Sequence, residues 1–430
     1  MEENFAIKSD PELWAELDMD VERFKNIPPV LTDAFNNIFL SQKNRPKMMA
    51  YFDDMVKNIF TGRIREMIDA KGEGRPVIGT FCVYVPEEII HAAGGVCVGL
   101  CGGSQGSIAD AEKILPRNIC PMVKSAFGFK VGRICPFFQV VDFVYGETTC
   151  DAKKKTWEIL DRYVPTHVME IPQMKRERDK KLWVEEVKDF KVAVEELVGK
   201  GITEDELKDS IETMNAKRRS MQRLNSLRHH NPAPISGRDM LLIQQIAFYD
   251  IPERFTEKVN ELCDELEERI ANGEFSAPKE APRVMVSGTP MALPNWKLHN
   301  IIESLGAVVV NEESCIGTRY YKDTIQTGGA GEEAMLEELT KRYMKVDCSC
   351  FTPNDDRIDQ VLKEYRESGA EGLIDYCLQF CHTYNIEAVK LREACEREGI
   401  PFLAIESDYS PEDVGQLQTR VEAFLEQIEG

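Results

Sequence analysis

The order strand, helix, strand is written into this chain twice, on either side of a long charged helical stretch. In the first run PVIGTFCVYV (76–85) is a short apolar β-type segment closed by Pro86. PEEIIHAAGG (86–95) then opens a helix with acids in its first turn and ends it on two glycines. Strand and helix alternate again through CVGLCGG (97–103), the 107–128 stretch and FFQVVDFVYG (137–146). The pattern returns as RVMVSGTP (283–290), a helix at NWKLHNIIESLG (295–306) and a strand at AVVVNEE (307–313). EGLIDYCLQF (371–380), IPFLAIESDYS (400–410) and a final helix QLQTRVEAFLEQI (416–428) complete it. Such alternation predicts an α/β protein with two Rossmann-like domains, their parallel sheets facing each other across a ligand site.

The rest of the chain reads as helix. Phe39, Leu40, Met48, Met49, Phe52, Met55, Ile59 and Ile64 recur at helical periods. From about 165 to 280 the texture is of charged amphipathic helices, one opened by the capping box Thr203–Glu206. At 430 residues the chain exceeds one compact core. The expected division is a helical region 1–70, a first α/β domain 71–165, a helical region 166–280 and a second α/β domain 281–430.

Charge narrows the partners. Lys plus Arg number 53 against 74 Asp plus Glu, a net charge of −21. Nucleic acid and anionic membrane both need a positive footprint, so neither is expected. No run of eighteen apolar residues occurs, and the acidic start MEENFAIKSDPELW lacks the features of a signal peptide. A cytoplasmic protein is expected.

Thirteen cysteines are too many for a reducing compartment without metal or catalysis. Cys101, Cys120, Cys150, Cys315, Cys377 and Cys381 lie where a strand gives way to a loop, and Cys348-Ser-Cys350 is a close pair. Ligands of open parallel sheets collect beyond those strand ends. Cys82, Cys263 and Cys395, and with them Cys97 and Cys135, read instead as small buried hydrophobes. Paired CxxC knuckles of structural zinc are absent, as are ferredoxin-type runs and the GxxxxGK[ST] phosphate loop. Scattered single thiolates fit an enzyme cluster seated between domains. His382, beside Cys381, and Glu147 and Asp151, which bracket Cys150, are the candidate proton carriers; Glu87 and Glu88 read as helix-start acids, and His229-His230 as an exposed loop pair.

Together FCVYVPEEIIHAAGG, LPRNICPMVKS and YGETTCDAKKKTWE resemble the N-terminal half of the 2-hydroxyacyl-CoA dehydratase and benzoyl-CoA reductase superfamily. SGTPMALPNWKLHNIIESLGAVVVNEESCIGTRYY, IDYCLQFCHTYN and IPFLAIESDYSPEDVGQLQTRVEAFLE resemble its C-terminal half. The resemblance implies an iron–sulfur cluster between two Rossmann-like domains, fed with low-potential electrons by a separate ATP-hydrolysing 4Fe-4S activator. It carries Cys120, Cys150 and Cys381 over as cluster ligands. Cys101, Cys315, Cys348, Cys350 and Cys377 are a surplus over the three thiolates a single 4Fe-4S cubane needs. That surplus resembles the branch with a double-cubane 8Fe-9S cluster, for which Cys101, Cys120, Cys150, Cys315, Cys348 and Cys381 are expected, with Cys350 and Cys377 as alternates.

The implied activity is reduction of a small unsaturated molecule by a homodimeric iron–sulfur component. A dehydratase subunit that removes water from a 2-hydroxyacyl-CoA at one 4Fe-4S cluster is the alternative. A non-catalytic iron–sulfur reservoir or scaffold is the alternative from another class.

Overall fold

The apolar runs become strands because both their faces are covered. In the computed structural model, which describes residues 5–328 and 331–429, every residue of β1 (Val77–Thr80) is buried. β2 (Val96–Gly99), β3 (Phe143–Glu147) and β4 (Thr166–Met169) join it in the order β2-β1-β3-β4. The second sheet repeats that order as β6-β5-β7-β8, from β5 (Arg283–Gly288), β6 (Val308–Glu313), β7 (Gly372–Leu378) and β8 (Phe402–Ser407). All six strand pairings are parallel. β5, β6 and β7 are buried throughout, the composition of a sheet sandwiched between helices. Winding reverses between β1 and β3 and between β5 and β7, so each sheet has a crevice at the carboxyl ends of those pairs.

Two elements differ from the sequence reading. Phe137 and Phe138 lie in a short helix, Pro136–Val140, because Pro136 presets its first turn; the strand starts at Phe143. β4 was not read as a strand, since Thr166 and His167 break its apolar pattern. As an edge strand it keeps His167 and Val168 exposed, and it lies just past residue 165.

The middle of the chain is helical as expected: Glu177–Val198, Glu204–Arg228, Gly237–Ile246 and Pro252–Asn272. Thr203 and Glu206 form the capping box, with Thr203 N–H donating to Glu206 Oε2 at 2.9 Å. These helices tie the halves together. Glu88 is wholly buried, pairs with Arg218 and accepts the Tyr343 hydroxyl at 2.8 Å, while Tyr320 donates to Glu87. One continuous apolar core runs through both sheets and the N-terminal helices, where Phe39 packs edge-on against Trp296. At Gly103 a Cβ would stand 2.0 Å from Ala292 O, so only glycine lets the first half close against the second there.

Candidate metal centre

Between the carboxyl ends of the two sheets lies a cavity of about 210 Å³ whose wall includes Cys82, Cys101, Cys120, Cys150, Cys315, Cys348 and Cys381. Local structure explains how three of these thiols reach it. Cys120, Cys150 and Cys381 each immediately precede a helix: Pro121–Val131, Asp151–Leu160 and His382–Glu398. The backbone N–H groups of Met122, Lys153 and Tyr384 face these thiols and favour the thiolate, without closing full capping hydrogen bonds. A helix start also presents about half a positive charge, which stabilises thiolate in the same sense. Cys120 and Cys377 both stand against Cys381; their thiols hold Cys381 well below the usual thiol range and are themselves pushed up.

A second group forms on the other side. Cys82 follows β1, Cys315 follows β6, and Cys348 and Cys350 lie in the loop before helix Asp355–Glu367. Cys315 stands against both Cys82 and Cys348, and Cys348 against Cys350. Here the donors are side chains. Arg319 Nη1 donates to Cys315 Sγ at 3.7 Å, Tyr384 OH to Cys348 Sγ at 3.5 Å, and Tyr84 OH lies 3.8 Å from Cys350 Sγ. The Cys315 thiol brings Cys82 down to about 7, and Cys315 and Cys350 together hold Cys348 well below the usual thiol range. Beneath them Glu313 binds Arg319, accepts from Ser287 Oγ at 2.7 Å and pairs with Arg357 at 3.2 Å. The left-handed backbone of Gly288, φ 121°, turns the chain there, and its carbonyl accepts from Arg319 Nη2 at 2.9 Å.

Sequence reasoning passed over Cys82. Its place inside the apolar run FCVYV makes it look like strand core, but the strand stops at Thr80 and the next residues turn into the cavity wall. Cys101 lines the same cavity, yet its thiol donates to Phe81 O at 2.5 Å and burial pushes it up to about 12. Cys263 and Cys395 are fully buried on helices, and burial raises Cys97 to about 12 and Cys135 to about 11.

The three proton-carrier candidates separate. Glu147 is fully buried; its Oε1 accepts the Cys82 N–H at 3.1 Å and its Oε2 has no hydrogen-bond partner. Burial pushes it up to about 8. Asp151 stands in solvent at the rim, paired with Lys154 at 2.6 Å, which holds it below the usual carboxylate range. His382 is exposed at the same rim. Lys153, hidden in the run DAKKK, reaches inward to Phe81 O at 3.4 Å. Burial opposes its charge, but Cys82, Glu147, Cys101 and Cys150 more than offset this. His229, read as exposed, is half-buried, and burial pushes it down to about 4; His230 is exposed.

Among the described residues no three Cys, His, Asp or Glu side chains converge as ligands of one ion would. The donors are instead thiols gathered from many loops around one shared cavity. That soft, dispersed set fits a polynuclear iron–sulfur centre, which spreads its ligands over several iron atoms.

A parallel α/β fold used twice, with strand-end thiols facing a shared cavity, defines a cysteine-lined two-domain α/β component. Comparison with known proteins makes this specific. The 2-hydroxyglutaryl-CoA dehydratase D-component family matches residues 82–428, and the chain belongs to that family. It is 36% identical over 382 residues to YjiM of Escherichia coli K12, named as a dehydratase subunit, covering 88% of this chain and 98% of that one. It is 25% identical to the β subunit of (R)-2-hydroxyglutaryl-CoA dehydratase from Acidaminococcus fermentans, over 83% of this chain and 94% of that one. A benzoyl-CoA reductase component from Thauera aromatica is 24% identical, over 80% and 88% respectively. No helix among the described residues is long and apolar enough to cross a membrane.

Proposed function

We propose that this chain is the cluster-bearing component of a two-part reductase. It holds a double-cubane 8Fe-9S centre, receives low-potential electrons from an ATP-hydrolysing 4Fe-4S activator, and reduces a small unsaturated molecule. The observation that carries this reading is the sorting of the cavity thiols into two groups, each with at least three members. Cys120, Cys150 and Cys381 hold one side; Cys82, Cys315 and Cys348 hold the other. Cys101 is the alternate to Cys82, and Cys350 and Cys377 are alternates to their neighbours. Once bound, the centre supplies electrons at low potential, tuned by hydrogen bonds and burial.

The chain's own groups supply the rest. Each double bond reduced takes up two electrons and two protons. Burial, and then the Cys82 thiol beside it, raise Glu147 to about 8, and its Oε2 is the atom free to carry a proton because Oε1 already accepts from Cys82 N–H. His382 stands exposed at the rim, and Asp151, ionised beside Lys154, keeps that rim polar. Phe81, Val83, Phe248, Leu293 and Ile316 line the cavity and exclude bulk water. A homodimer in the cytoplasm completes the reading.

The test is iron and acid-labile sulfide per chain on anaerobically purified protein. Roughly eight irons support the double cubane. Roughly four would favour the second reading, a 2-hydroxyacyl-CoA dehydratase subunit with one cubane, which the dehydratase names of the relatives commend. Zinc without iron would overturn both.

A further inference from the structure

We propose that Arg319 and Tyr384 are positioning residues that hold the added electron on the Cys82–Cys315–Cys348 side of the centre. The inference rests on the cluster reading above and deepens it. Arg319 is 1% exposed, and its Nη1 donates both to Cys315 Sγ and to Tyr384 OH. Tyr384, itself buried, donates its own hydroxyl proton to Cys348 Sγ. One guanidinium therefore polarises two thiolates of the same group, one directly and one through the phenol. Hydrogen bonds to ligand sulfur draw electron density from the metal and favour the reduced state.

No charged side chain donates a hydrogen bond to the opposite group. The groups that donate toward Cys120, Cys150 and Cys381 are backbone N–H groups and neighbouring thiols, and the buried Lys153, whose charge also reaches Cys150, acts more strongly on Cys82. Arg319 is also fixed by more than the thiols. Glu313 and the Gly288 carbonyl grip its other nitrogens, so the donor direction is set before any electron arrives. The reduction itself takes one electron from the donor and makes or breaks no bond. The negative charge settles beside Arg319, away from the solvent-facing rim of Asp151 and His382.

The experiment is potentiometric titration of the iron-loaded full chain with titanium(III) citrate, followed by electron paramagnetic resonance. Tyr384→Phe removes one hydrogen bond to Cys348 and keeps the ring. It should retain wild-type iron content yet shift the midpoint potential to more negative values, with an altered signal of the reduced centre. Arg319→Lys, which keeps a charge but loses the fork, should shift it in the same direction. Unchanged potential and signal at full iron content in Tyr384→Phe would overturn the inference and leave the cluster reading standing. Absence of iron from the wild-type chain would overturn the cluster reading itself.

Discussion

Cys120, Cys150 and Cys381 each face the backbone N–H groups of a helix start, whereas Cys315 and Cys348 accept from the side chains of Arg319 and Tyr384. In the first group each thiol precedes a helix and looks onto the N–H groups of its first turns. In the second, Arg319 and Tyr384 donate to sulfur, and Glu313 and Arg357 lie buried behind them. A helix start needs only the chain to turn at the right place, so it brings partial charge without a buried ion. A buried guanidinium brings a full charge and must be matched by carboxylates. The two groups thus face one cavity with different sensitivities: one to local backbone geometry, the other to the integrity of an ion network.

The sharpest way to break the comparison is to remove one thiol from each group. Cys381→Ser and Cys315→Ser should each cost roughly half the bound iron, about one cubane of two, measured as iron per chain. Total loss in either variant would show that the groups do not stand independently. Next in size is Arg357→Met. It leaves the buried carboxylate of Glu313 and the partly buried one of Glu387 short of a partner, and should lower unfolding free energy by about 3–5 kcal/mol, read by denaturant titration.

A smaller effect comes from His229, which lies against Asn311 of β6 behind the second group. Burial, with Arg228 and Arg283 nearby, lowers it to about 4, below its ordinary 6.5. Between these values the unfolded chain binds more protons than the folded one, so stability rises with pH across that window and is lost as pH falls. The loss is up to about 3 kcal/mol, and His229→Gln should flatten the corresponding slope of Tm against pH. The smallest change is expected from Asp151→Asn at the exposed rim, whose ion pair with Lys154 is surface-screened; its Tm should match wild type. A large drop would mean that the rim is tied into the ion network after all.

The parts legible in the sequence were those set by neighbours along the chain. Cys150 and Cys381 announce themselves by lying where a strand gives way to a loop, and the repeated strand order showed the doubled sheet. Arg319 could not be found this way. It sits in a four-residue helix, Thr318–Tyr321, and is buried only because Glu313 on β6 and Arg357 from a distant helix pack around it. Cys82 was hidden by the apolar residues on either side, although the chain leaves the sheet two residues earlier. Choosing between Cys348 and Cys350 also needed three dimensions, since it depends on which faces Cys315 and which faces Tyr84. Nor does any periodicity along the chain record that both halves and the N-terminal helices share one core.

Ownership of the thiols is divided. The first half contributes Cys120 and Cys150 to one group and Cys82 to the other; the second half contributes Cys381 to one and Cys315 and Cys348 to the other. A chain severed in the loop at 229–236 would therefore yield two fragments, each with a whole sheet and neither with a whole set. On the proposed reading, metal loading in such a split protein would report fragment reunion, and in the intact chain it would wait until Cys120 and Cys381, 261 positions apart, have met.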